Sequence, residues 1–119
     1  MEHHESSRIN PSEPASSEIA PGVELRLLRR HEDQGATFLV AMAKGARAPL
    51  HDQPGGEESY MVRGRLRIGQ RTDSSGMALA DVVLDTGQYF FAPPGERHDG
   101  VAEEDCLFFV VAPGGLTPS

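Results

Sequence analysis

Four side chains in two short stretches could together hold a metal ion. The first stretch, Gly45 to Gly64, reads GARAPLHDQPGGEESYMVRG and carries His51, Gln53 and Glu57. The second, Gly87 to His98, reads GQYFFAPPGERH and ends on His98. Imidazole nitrogens with carboxylate and amide oxygens suit iron, manganese, nickel or zinc better than thiolate-seeking metals. A divalent ion with open coordination positions polarises a carbonyl or activates dioxygen. Residues two apart share a face in an extended segment, so His51 and Gln53 point together and Asp52 points away. Pro54, Gly55 and Gly56 then turn the chain, and Glu57 opens the next strand. Pro93-Pro94-Gly95 makes a rigid turn that fixes where His98 returns.

These turns imply strands between them. Val23, Leu25 and Leu27 alternate with Glu24 and Arg26, the pattern of a half-buried strand. HEDQG at residues 31–35 is a polar turn, with His31 an exposed loop residue. Residues 36–43 read as a buried strand. Residues 58–63 and 65–68 flank Gly64, which predicts a hairpin with glycine at an unusual backbone angle. DSSG at 73–76 is another turn; strands follow at 77–84, 88–92 and 106–112, the last two rich in Phe and Val. Helical periodicity is absent. Short strands with turns about every eight to twelve residues predict an all-β barrel or double-sheet jelly roll. Cys106 reads as a small core residue. Tyr60, Tyr89, Phe90, Phe91, Phe108 and Phe109 read as mostly core, with alternation leaving half of them to line a cavity. The barrel is expected over 22–114, with a loop-like tail at 115–119. Residues 1–21 are rich in Glu, Ser and Pro and read as a flexible arm, in which His3 and His4 are solvated.

Composition bounds the function. The chain has 119 residues, the length of one domain. Its formal net charge is −7 and its pI about 5.1, which opposes binding to nucleic acid or an anionic membrane. A lone cysteine, Cys106, forms no intramolecular disulfide. No apolar run nears the roughly 18 residues of a membrane helix, and the polar N-terminus lacks a signal-peptide core. The chain therefore reads as soluble and cytoplasmic. Arg65, Arg67 and Arg97 have the chemistry to clamp an anion, but read first as a solvated strand edge. No G-x-S-x-G, Cys–His pair or phosphate loop supplies a separate catalytic centre.

The two stretches resemble the cupin family. Its first motif is G-x5-H-x-H-x3–4-E-x6-G, and Gly45, His51, Glu57 and Gly64 match at every spacing, with Gln53 replacing the second histidine. Its second motif is G-x5-P-x-G-x2-H-x3-N; Gly87, Pro93, Gly95 and His98 match, and Ala102 stands at the final Asn. The resemblance covers residues 23–112. GGEE followed by PPG-x-x-H is similar to the cupin domains of zinc-dependent anti-sigma factors and to small acetylacetone-cleaving dioxygenases. The resemblance implies a jelly-roll barrel with one divalent metal ion (Fe, Mn, Ni or Zn) in its mouth. His51, Glu57 and His98 would be ligands. Gln53 would be a fourth, as in sugar-isomerase cupins, or would hold a metal-bound water. Glu58 reads as solvated, because the six-residue gap to Gly64 selects Glu57. The implied function is a small metal-dependent enzyme of dioxygenase, lyase or isomerase class, with a small oxygenated molecule as substrate and Glu57 as base. The alternative is a non-enzymatic metal- or ligand-sensing regulatory cupin. Open sheet edges further imply a homodimer.

Overall fold

A computed structural model describes residues 6–10, 12, 15–32 and 34–118, with Pro118 as backbone alone. His3 and His4 lie outside the described residues. The strands, in chain order, are β1 Ser17–Ala20, β2 Val23–Arg30, β3 Ala36–Met42, β4 Arg47–Asp52, β5 Glu57–Arg63, β6 Arg65–Thr72, β7 Val82–Asp85, β8 Tyr89–Ala92, β9 Arg97–Ala102, β10 Cys106–Ala112 and β11 Thr117–Pro118. They form a six-stranded sheet, β1-β2-β3-β10-β5-β8, and a five-stranded sheet, β11-β4-β9-β6-β7, both antiparallel. The fold is the expected all-β jelly roll. No helix among the described residues is long and apolar enough to cross a membrane.

Alternation builds the core. On β10, Cys106, Phe108, Val110 and Ala112 point inward; on β3, Phe38, Val40 and Met42 do the same. Leu66, Ile68, Leu84 and Ala102 answer from the five-stranded sheet. Burial pushes the Cys106 thiol up to about 11, so it is an inert core group. Gly64 joins β5 to β6 at φ 103°, and a Cβ there would run into Asp105 and Cys106, so no other residue fits the hairpin.

Four expectations need correction. Ser17–Ala20, inside the expected flexible arm, is a strand paired with β2; Ser17, Glu18 and Ala20 find ladder partners that outweigh the polar composition. The expected tail likewise includes β11, paired with β4 at Thr117↔Asp52. Residues 77–84 are not one strand: Ala78 makes an isolated bridge to Thr72, and pairing with β6 starts only at Val82. Finally, Tyr60, Tyr89, Phe91 and Phe109 are exposed, because alternation turns them to the outer side of their sheet while Phe90 and Phe108 turn inward.

Candidate metal centre

The site assembles where the two sheets meet at one end of the barrel. The β4–β9 ladder sets His51 directly opposite His98, and an irregularity between Ala48 and His51 re-aims the strand just before the ligand. The two rings meet edge to face with centroids 4.8 Å apart. The Pro93-Pro94-Gly95 turn feeds β9, with Gly95 at φ 92°. Glu57, the first residue of β5, enters from the other sheet. Its Oε1 lies 3.3 Å from His51 Nε2 and 3.1 Å from His98 Nε2. The ligand atoms of the three residues all lie within 4.8 Å of one another.

Hydrogen bonds at the far side of each ring decide what faces the centre. His51 Nδ1 is 2.9 Å from the Pro49 carbonyl, which can only accept, so Nδ1 carries the proton. His98 Nδ1 is 3.0 Å from Glu96 Oε2, and donation to that buried carboxylate fixes the ring in the same way. With both Nδ1 protons committed, both Nε2 lone pairs converge on a carboxylate oxygen. Three electron-rich atoms at one point repel unless a cation joins them, either a proton or a metal ion. Charge follows this logic. Burial raises the Glu57 carboxyl, but the hydrogen bonds and charges of His51 and His98 outweigh it and hold it at about 2. Burial lowers His51, yet its hydrogen bond and attraction to Glu57 raise it overall. A carboxylate this acidic is a good ligand and a weak general base.

Gln53 follows the end of β4 and is fully buried. Its Nε2 lies 3.1 Å from His98 Nδ1, the opposite ring nitrogen from the one facing Glu57. Gln53 Oε1 is the buried side-chain polar atom without a hydrogen-bond partner among the described residues. Two N–H donors cannot face each other; turning the amide by half a rotation swaps its N and O in the same volume and lets Oε1 share, as a second acceptor, the Nδ1 proton that Glu96 takes.

Sequence reasoning missed Glu96 and Arg71. Arg71 donates to both Glu96 oxygens at 3.0 and 3.1 Å and to the Ala80 carbonyl at 2.7 Å. Its guanidinium also lies 5.3 Å from the Phe90 ring centroid, and Phe90 meets His98 edge to face. A register shift between Gly69 and Thr72, with Gln70 at φ 51°, marks where β6 departs from regular pairing beside Arg71. The i, i+2 rule that pairs His51 with Gln53 also pairs Glu96 with His98, so Glu96 carried a usable signal; Arg71 carried none.

Other candidates fall elsewhere. Asp52 points away and pairs with Arg97 at 3.0 Å. Arg65 and Arg67 are engaged with Asp85 and Glu103 at 2.7 and 2.6 Å on the outer surface. Glu58 is exposed and accepts from the Tyr89 hydroxyl at 2.6 Å. His31 lies 2.7 Å from the Thr37 hydroxyl at the start of β3 and is not among the converging side chains.

The three ligand candidates line a cavity of about 310 Å³. Its depth is apolar, from Val23, Phe38, Met42, Ile68 and Phe108. Its rim includes Ile19, Pro49 and Thr117, all exposed. Two of these belong to β1 and β11, the strands that composition assigned to arm and tail.

A jelly roll with two histidines and a glutamate converging at one end of an apolar cavity defines a cupin. The chain belongs to the ChrR cupin-like domain family, which it matches over residues 5–114. Among solved structures it is similar to KdgF from Halomonas sp., with TM-score 0.73 and 21% identity over 97% of this chain and 96% of that one. It is also similar to an RmlC-like cupin from Shewanella frigidimarina (TM-score 0.70, 23% identity, 94% and 92% covered). A third is the polyketide cyclase RemF from Streptomyces resistomycificus (TM-score 0.74, 18% identity, 96% and 85% covered). At these identities the likeness establishes the fold. No curated protein matches the chain in sequence.

Proposed function

We propose that this cupin binds one divalent metal ion through His51, Glu57 and His98 and acts as a small metal-dependent enzyme on a small oxygenated molecule. The observation that carries this reading is the commitment of both Nδ1 protons, which turns two imidazole lone pairs and a carboxylate onto one point. A hard N/O set of this kind fits iron, manganese, nickel or zinc. When bound, the ion supplies Lewis acidity toward a substrate oxygen. The chain's own residues do the rest. Glu96 and Arg71 hold the His98 ring. Glu57 serves as an anionic ligand rather than as the base, because its carboxyl sits far below neutral pH. Gln53 steadies His98 from the Nδ1 side. The apolar cavity excludes water and favours a substrate with a hydrocarbon body and one polar end, such as a diketone, enol or phenol.

The match to the ChrR cupin-like family supports a second reading, a non-enzymatic sensor that uses the same centre to report on a metal or ligand. One experiment separates the two. Protein loaded with each of the four metals is offered a panel of diketones, enols and phenols while oxygen uptake and product formation are followed. Turnover that His98→Ala abolishes supports the enzyme. Stoichiometric metal with no turnover on any substrate supports the sensor. Failure to retain any metal contradicts both.

A further inference from the structure

A hydroxyl on an apolar cavity wall costs free energy unless something meets it, and an alanine methyl would cost nothing there. The cavity that the three ligand candidates line has such a hydroxyl. On β5 the inward residues are Glu57, Ser59 and Met61, while Glu58 and Tyr60 face out. Ser59 is 5% exposed and lines the same cavity as His51, Glu57 and His98. Its ladder neighbours, Val110 of β10 and Phe90 of β8, are both apolar. Among the described residues nothing hydrogen-bonds its hydroxyl. Gln53 Oε1 also lacks a partner, but it is sealed away from the cavity, whereas Ser59 opens onto it.

The surroundings narrow what can meet this hydroxyl. The other polar side chains of the wall are engaged or peripheral: Asp99 pairs with Arg47, and Thr117 is exposed at the rim. Among the described residues no Lys or Arg lines the cavity. A charged group beside Ser59 would therefore be buried without a counter-ion. A neutral hydroxyl or carbonyl carries no such cost, and a serine hydroxyl donates to the one or accepts from the other. Two residues of extended strand span about 6.7 Å, so Ser59 stands roughly that far along β5 from Glu57. That is the width of a small ring or a short chain. A cavity of about 310 Å³ is at the small end of ligand pockets and holds one such molecule.

Resting on the metal-centred reading above, we infer that Ser59 is a second anchor for the ligand. Its hydroxyl takes a neutral hydroxyl or carbonyl oxygen at the far end of a molecule whose first oxygen faces His51, Glu57 and His98. The substrate class is thereby an uncharged molecule with an apolar body and oxygens at both ends. Selectivity follows from the same bond. A ligand that lacks the second oxygen leaves the Ser59 hydroxyl buried and unpaired, and binds less tightly for that reason.

Calorimetric titration of the zinc-loaded full chain with benzoylacetone, and with its meta- and para-hydroxyphenyl analogues, tests the inference in wild type, Ser59→Ala and Ser59→Thr. At least one hydroxyl analogue should bind the wild type roughly five- to tenfold more tightly than benzoylacetone itself. Ser59→Ala should erase that preference while binding zinc and benzoylacetone as the wild type does. Ser59→Thr keeps a hydroxyl and should keep the preference. Ligand-free Ser59→Ala should melt no lower than wild type, because the hydroxyl supports no bond within the fold; a serine kept for stability would make it melt lower. A wild type that prefers neither analogue, a preference that survives in Ser59→Ala, or a lowered melting temperature overturns the inference. Zinc retained alongside any of these results leaves the metal centre standing. A wild type that holds no zinc sinks the metal centre instead, and the same comparison on metal-free protein then decides Ser59 by the same criterion.

Discussion

Two regions of this molecule reverse the usual division between a dry interior and a wet surface. Inside the barrel, Glu57, Glu96, Gln53 and His98 are buried. Outside, Tyr60, Tyr89, Phe91 and Phe109 face water. The two reversals are built differently. The interior one is specified atom by atom: the Pro49 carbonyl orients one imidazole, and Glu96, gripped twice by Arg71, orients the other. The exterior one is specified by area and by the register of a ladder. A directional network loses function when one donor or acceptor goes. An apolar face tolerates loss of a methylene but not the arrival of a charge. The following variants break or sharpen that contrast.

The largest effect should come from Glu96→Ala, which leaves the mostly buried Arg71 cation without its carboxylate. Removing one partner of a buried pair costs about 3–5 kcal/mol, measurable by urea unfolding. It should also weaken metal binding by about 10–100-fold, as loss of an orienting partner does. Glu96→Gln keeps an acceptor for the His98 proton and should cost less in affinity than in stability. Equal losses in the two variants would mean that orientation of the ring is not what Glu96 supplies.

Next comes pH. The Glu57 carboxyl is at about 2 in the fold against an ordinary 4.5, so its contribution is complete above pH 4.5 and is lost as pH falls through 2. The size is on the order of 3 kcal/mol for the metal-free protein. His51 is raised above 6.5, so its contribution is complete below pH 6.5 and is lost as pH rises through the raised value. Metal-free protein should therefore be most stable between pH 4.5 and 6.5. Added zinc replaces the His51 proton and should reverse the upper limb, so that stability rises with pH there. Melts at several pH values with and without zinc read this directly; parallel curves would contradict it.

The outer face predicts a smaller and different signature: Phe109 is partly exposed, so Phe109→Leu should change stability by about 1 kcal/mol or less, read by urea unfolding. The smallest effect should be at Gln53. Gln53→Leu removes a buried amide with one unpartnered polar atom and one contact to His98, and should leave stability within about 1 kcal/mol of wild type. Metal affinity should change by less than about tenfold. A loss as large as that of His98→Ala would instead put Gln53 on the metal.

The sequence made the fold and the convergence of His51, Glu57 and His98 legible because turn residues and motif spacing are local. Gly64, Gly95 and the His51–Glu57 spacing each follow from a few neighbouring residues. What stayed hidden depends on partners distant in sequence. Ser17–Ala20 and Thr117–Pro118 are strands because β2 and β4 offer free edges, not because their own residues favour it. Arg71 reaches Glu96 across 25 residues through an irregular stretch of β6 that no local pattern announces. Alternation correctly divided the aromatics into two sets, but it does not say which set faces in; the ladder register does.

The central claim is that His51, Glu57 and His98 together hold one divalent ion. A competition titration of zinc and manganese against a chelator, on wild type and His98→Ala, tests it most directly. The account predicts one ion per chain for the wild type. For His98→Ala it predicts a loss greater than the roughly 10–100-fold expected of an orienting residue such as Glu96. A wild type that binds neither metal, or a His98→Ala variant that binds as tightly as wild type, would contradict it.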